Sequence, residues 1–148
     1  MSTLRDEILA VEEAAWHDLH DLTAKLADDQ WTTAGVNGIW SAKDLVAHLG
    51  CWSAEAARQL ECIRAGAPSR GPEADAFNKA SYDACKDLTV HEAIALASSA
   101  HHRLQEEIEL VAPVALSGKI VDMLHECADR HYREHLAQLR RFIEEDSS

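Results

Sequence analysis

An all-α four-helix bundle is the fold this sequence predicts, and three observations lead to it. Alanine and leucine dominate while runs of Val and Ile are absent, which favours helix over strand. Of the six glycines and three prolines, all but Gly50 fall in three clusters, Gly35–Gly38, Gly66–Pro72 and Pro113–Gly118. These breaks cut the chain into four stretches. Within each stretch apolar residues recur every three or four positions, the period of a helix with one buried face. The 148 residues suit one domain, residues 1–148, large enough to fold without a disulfide or metal staple.

The first stretch runs from about Thr3 to Ala27, with its stripe at Leu4, Ile8, Val11, Ala15, Leu19, Leu22 and Leu26. The second opens at Trp40, where Ser41 is an N-cap and Asp44 stands three positions on as a variant capping box, and continues to about Ala65. The third covers about Thr89 to Val111. Its Val90, Ile94, Ala97, His101, Leu104, Ile108 and Val111 alternate spacings of four and three, a bundle seam. The fourth is expected as one helix from about Gly118 to Glu145, with Ile120, Leu124, Cys127/Ala128, His131, His135, Leu139 and Phe142 facing inward. Between the second and third lies a long connection, Gly66–Leu88, with room for a short extra helix over Glu73–Lys86. Such a length permits a crossover.

Charge narrows the function classes. Twenty-six acidic against fourteen basic residues give a net charge of −12. With no basic stripe to offset it, neither nucleic acid nor an anionic membrane surface is an expected partner. No apolar run approaches a membrane span. The first seven residues, Met-Ser-Thr-Leu-Arg-Asp-Glu, lack the pattern of a signal peptide. Cys51, Cys62, Cys85 and Cys127 form no C-x-x-C pair, so reduced thiols in a cytoplasmic protein are expected.

Nine histidines remain to be placed. At about 100° per residue, His17 and His20 face away from the first stripe and His125 away from the fourth, while His91 and His102 flank the third. All five read as solvated. His131 and His135 are i and i+4 neighbours on an apolar face. Two buried imidazoles need partners, and either a shared metal ion or a hydrogen-bonded polar core pair would satisfy them. His48 sits at the edge of the second stripe, a place that suits a ligand facing a cleft and equally a mere boundary residue. Glu55 lies two turns further along nearly the same line. His101, on the third seam, reads as a fourth ligand, a supporting partner, a proton shuttle or a satisfied core residue. Trp40 and Trp52 flank His48 and are expected either to wall a pocket or to pack in the core.

The segment Trp40-Ser41-Ala42-Lys43-Asp44-Leu45-Val46-Ala47-His48-Leu49, with Trp52 after it, resembles the second-helix signature of the DinB/YfiT-like superfamily. His131-Tyr132-Arg133-Glu134-His135-Leu136-Ala137-Gln138-Leu139 resembles its fourth-helix H-x-x-x-H-x-x-Q-L segment. The stretch from Phe77-Asn78-Lys79 through Tyr82 to Val90 is similar to the ClbS/DfsB-type and maleylpyruvate-isomerase-type members. This resemblance implies a four-helix bundle, often a homodimer, holding one divalent metal on three histidines. Carried onto this chain, the ligands are His48, His131 and His135. Zinc or nickel suits that set, and a low-molecular-weight thiol serves as cosubstrate in some members.

A metal-dependent transferase or hydrolase acting on a small electrophilic molecule is the function expected. Glu55 and His101 are its candidate catalytic groups, with Glu55, Asp44, Gln59 and His101 as candidate supports for the ligands. The competing readings are a metal-free small-molecule-binding or protective protein of the ClbS/DfsB type, and a stress-induced structural dimer.

Overall fold

A computed structural model describes residues 2–146. Its helices are α1 (Leu4–Thr23), α2 (Asp28–Thr32), α3 (Ala42–Arg64), α4 (Ala74–Cys85), α5 (Val90–Leu110), α6 (Gly118–Cys127) and α7 (Asp129–Asp146), with a 3-10 turn at Pro113–Ala115. Capping chemistry sets the starts. Thr3 and Asp6, Ser41 and Asp44, and Thr89 and Glu92 exchange side-chain and backbone hydrogen bonds as capping boxes at α1, α3 and α5. The Glu73 carboxylate accepts from the Ala76 amide at the start of α4.

Four long arms, α1, α3, α5 and the α6–α7 pair, enclose one apolar core that includes Leu19, Leu45, Leu49, Leu60, Leu104, Ile108, Leu124 and Leu139. The chain is all-α as expected. The α3–α5 pairing is the most extensive, and α1 packs mainly on α7. Gly50 explains how close α3 and α5 lie. A Cβ there would stand 2.6 Å from Leu96 Cδ2 and 2.9 Å from the Ala97 Cα. Arg5 ties the start of α1 to the end of α5, donating to the Ile108 and Val111 carbonyls that the helix leaves unpaired.

Three features depart from the sequence expectation. The first helix ends at Thr23, four residues early, and α2 follows as a separate turn. Its inward face carries Ile8, Glu12, Ala15, Leu19 and Leu22, because Glu12 is 2% exposed and Val11 43%. The fourth arm is broken at Ala128, whose φ −121° and ψ −98° are not helical. The Ala128 amide still reaches the Leu124 carbonyl and the Tyr132 amide returns to the Ala128 carbonyl, so the helix resumes at once. A His125 Nδ1–Asp129 Oδ1 contact of 2.8 Å spans the break, which leaves His125 half-buried instead of solvated. The short extra helix in the long connection is present as α4, and it has no buried residue.

Candidate metal centre

His48 projects from the second turn of α3, and His131 and His135 from the first two turns of α7. Their Nε2 atoms converge. His48 Nε2 and His131 Nε2 are 2.9 Å apart, and His131 Nε2 and His135 Nε2 are 3.1 Å apart. The three rings stand steeply to one another, with interplanar angles of 64° to 90°. Three nitrogens aimed at one point from three directions is a ligand arrangement. Zinc–nitrogen bonds of about 2.0–2.1 Å in a tetrahedron set ligand nitrogens about 3.3 Å apart. The two spacings here are a few tenths of an ångström short of that, so the donor set suits a divalent ion after a small outward adjustment.

Burial sets the electrostatics. His48 is pushed down to about 3 by burial and then by the neighbouring His131 and His135 rings. His131 falls to about 4 for the same reasons, burial first and His135 next. Near neutral pH both rings are therefore uncharged, the form that ligates a metal. His135 Nδ1 lies 2.7 Å from Gln138 Oε1. A proton held there leaves the His135 Nε2 lone pair free, the arrangement that outer partners impose on metal-binding histidines. The Nδ1 atoms of His48 and His131 are buried without a hydrogen-bond partner.

These shifts have a measurable sign. An unfolded histidine takes up a proton near 6.5, while His48 and His131 in the fold resist protonation until about 3 and about 4. The unfolded state therefore binds more protons below about pH 6.5, and stability falls as the pH drops from there towards 4. Metal-free protein should lose several degrees of melting temperature between pH 7 and 5. A His48→Leu/His131→Leu variant should lose clearly less, and equal losses would contradict the assignment.

The walls come from α3, α4 and the turn before α3. Positive φ at Gly35 and Gly38, 116° and 62°, lets that turn close through Trp40–Asn37 and Gly35–Trp40 backbone bonds. It lays the Trp40 ring 4.7 Å from His48 and parallel to Tyr82. Trp52 packs on Phe77, donates its indole N–H to Asn78 Oδ1 and stands edge-on to His131. Both tryptophans thus wall the centre while packing against the core. A narrow cleft of about 10 Å³ between α3 and α4 reaches His48, with Trp40, Asn78, Ser81, Tyr82 and Cys85 along it. Ser81 also borders a wider open groove of about 490 Å³ lined by Cys51, Glu55, Arg58, Phe77 and Arg103.

The other singled-out residues lie outside this cluster. Glu55 faces the groove, clamped by Arg58 through Nε contacts of 2.8 and 2.9 Å. Asp44 is occupied by the α3 cap. Cys127 is buried, and burial followed by the nearby Glu55 charge pushes its thiol up to about 12. His101 belongs to a second buried network. Its Nδ1 is 2.8 Å from Glu12 Oε2, its Nε2 is 3.0 Å from Glu13 Oε2, and its ring stacks on Trp16 at 4.6 Å. Glu12 also accepts from Gln105 at 2.6 Å and from the Tyr132 hydroxyl at 2.9 Å. The Ser53 hydroxyl lies 2.5 Å from that same Tyr132 oxygen. Burial, and then the Glu12 charge, raise Tyr132 well above the usual phenol range, so it stays a donor.

Sequence reasoning assigned no role to Glu12, Tyr132 or Gln138, although the last belongs to the H-x-x-x-H-x-x-Q-L segment. Glu12 had a signal, since Ile8, Glu12, Ala15, Leu19 and Leu22 keep four-three spacing better than a stripe through Val11. Gln138 had one too, three residues after His135 and so within reach on the same helix. Tyr132 had one as well, since Ala128, Tyr132, His135, Leu139 and Phe142 keep four-three spacing on the fourth arm.

An all-helical protein with three imidazoles gathered between its second and fourth arms is the class that fold and centre define. The family model of the DinB superfamily matches residues 13–139, and the chain belongs to that superfamily. Among solved structures it is similar to the one titled "Sibling Lethal Factor Precursor - DfsB", with a TM-score of 0.83 and 14% identity over 99% of this chain and 98% of that one. No curated protein matches it. At that identity the structural likeness establishes the fold alone. Among the described residues no helix is long and apolar enough to cross a membrane.

Proposed function

We propose that this protein is a metal-dependent transferase or hydrolase acting on a small electrophile, with one divalent ion of the zinc or nickel class held by His48, His131 and His135. The observation that carries the reading is the convergence of three imidazole nitrogens, two pairs of them 2.9 and 3.1 Å apart. Three protein ligands leave a position open, as catalytic rather than structural sites do. A bound ion supplies Lewis acidity, which brings the pKa of a coordinated water or small thiol towards neutrality.

The chain's own residues do the rest. Gln138 holds the His135 tautomer. Trp40, Trp52 and Tyr82 keep the walls apolar, which excludes bulk water and strengthens charge interactions inside. Arg58 and Arg103 on the groove attract an anionic group of the substrate, and Glu55 fixes the Arg58 guanidinium and is the carboxylate available for proton transfer. His101, engaged at both ring nitrogens, supports Tyr132 through Glu12.

The metal-free reading has one supporting observation, that nitrogens 2.9 Å apart can share a proton as a hydrogen bond. Elemental analysis separates the two. Freshly purified protein should carry about one equivalent of metal, and a His131→Ala/His135→Ala variant should carry none. Wild-type protein that stays metal-free after reconstitution with zinc and with nickel would overturn the metal reading and favour the metal-free one.

A further inference from the structure

Cys51 lies on α3 one turn beyond His48, and Cys85 is the last residue of α4. Their Sγ atoms are 3.9 Å apart although the residues are separated by 34 positions in sequence. Both side chains are half-buried. Cys85 lines the cleft that reaches His48, and Cys51 lines the wider groove beside Glu55. Neither has a part in the function proposed above.

A disulfide needs its sulfurs about 2.05 Å apart, so closure asks for an approach of about 1.9 Å. Helix α4 is the element able to supply it. It has no buried residue, and the connection that leads to it, 65–73, is largely exposed. Side chains hold it to α3. The Trp52 indole bonds Asn78, and the Lys43 ammonium caps the Lys86 and Leu88 carbonyls at 2.8 and 2.7 Å. Trp40 stacked on Tyr82 and Trp52 packed on Phe77 complete the hold, so the approach asks for side-chain rotation with a small shift of α4 while the core stays packed.

We propose that Cys51 and Cys85 are a reversible dithiol–disulfide couple, closed by exchange with a low-molecular-weight disulfide, that fastens α4 to α3 beside the His48 cleft. The Cys85 thiolate attacks one sulfur of the small disulfide, whose S–S bond breaks and releases one small thiolate, protonated by water. Cys51 then loses its proton, and its thiolate attacks Cys85 Sγ and expels the second small thiol. Two electrons pass from the protein dithiol to the small disulfide, which leaves as two thiols. Cys51 is the second attacker because burial, and next the adjacent Cys85, push its thiol up to about 11. The held geometry favours this intramolecular step over a lasting mixed disulfide.

The test incubates fully reduced protein with excess oxidised glutathione, quenches by alkylation and maps the peptides. Two of the four thiols should be lost, in a Cys51–Cys85-linked peptide, with a mass about 2 Da below the reduced protein and full reversal by dithiothreitol. Amide exchange across 74–85 should slow at least about tenfold in the oxidised form, and a Cys85→Ala variant should show neither effect. A glutathione adduct retained on either cysteine, a bridge through Cys62 or Cys127, a covalent dimer, or unchanged exchange in the oxidised protein would each overturn the proposal. The wild-type mapping is decisive even where the variant folds poorly.

Discussion

Glu12→Ala is expected to lower the unfolding free energy by about 3–5 kcal/mol, the range for removing one partner of a buried pair. The size follows from what the carboxylate serves. It takes hydrogen bonds from His101, Tyr132 and Gln105 in a site where Glu12 is 2% exposed and His101 and Tyr132 each 1%. Truncation leaves the buried His101 Nδ1 without its partner, and leaves the Tyr132 hydroxyl only Ser53 and the half-buried Gln105 only the Leu9 carbonyl. At about 2–4 °C per kcal/mol for a chain of this size, the melting temperature should drop by about 10 °C. Tyr132→Phe removes one donor and keeps the ring, so it should cost only about 1–2 kcal/mol. Denaturant unfolding of both variants checks the order. A Glu12→Ala loss below about 1 kcal/mol would mean that the network contributes little.

His48→Leu should separate ion binding from folding. Removing a ligand should weaken metal affinity by more than the 10–100-fold that loss of an outer partner costs, so by at least about 100-fold. The chelator-treated variant should meanwhile be as stable as chelator-treated wild type, or about 1 kcal/mol more stable, because a buried imidazole with an unpartnered Nδ1 is replaced by an apolar group of similar volume. Competition titration with a metal indicator and thermal melts with and without chelator read the two quantities independently. Unchanged affinity would remove His48 from the ligand set, and a metal-free variant destabilised by more than about 2 kcal/mol would show the ring to be a packing element.

The start of α3 was the most legible part of this fold, because the Ser41–Asp44 capping pair is local and its chemistry is carried by residues three positions apart; Thr89 and Glu92 repeat that spacing at α5. The gathering of His48 with His131 and His135 was legible too. Each lay on or beside an apolar stripe, and the resemblance had already paired the two segments. The second network stayed hidden for two different reasons. A stripe of apolar residues alone runs through Val11 and leaves Glu12 out although its spacing places it inside, and the acceptor it offers becomes apparent only once His101 is seen opposite. Tyr132 was masked by its neighbour His131, which the expected stripe placed inward, although Tyr132 keeps four-three spacing with Ala128, His135 and Leu139. The clamp of Glu55 by Arg58 also lay beyond a reading that placed Glu55 by angle alone, since a guanidinium three residues on competes for the carboxylate.

The glycine contact between α3 and α5 has a mechanical corollary. Backbone laid against side chain at Gly50 leaves no clearance for one helix to roll or slide over the other. His48 therefore sits on the fixed jaw of a vice. The opposite jaw carries His131 and His135 and is jointed at Ala128. A gap set by one rigid and one hinged member is adjusted from the hinged side. Under the proposed metal reading, an ion of different radius would be accommodated by a small adjustment on the α7 side, while the tryptophan walls on the fixed side would keep their shape.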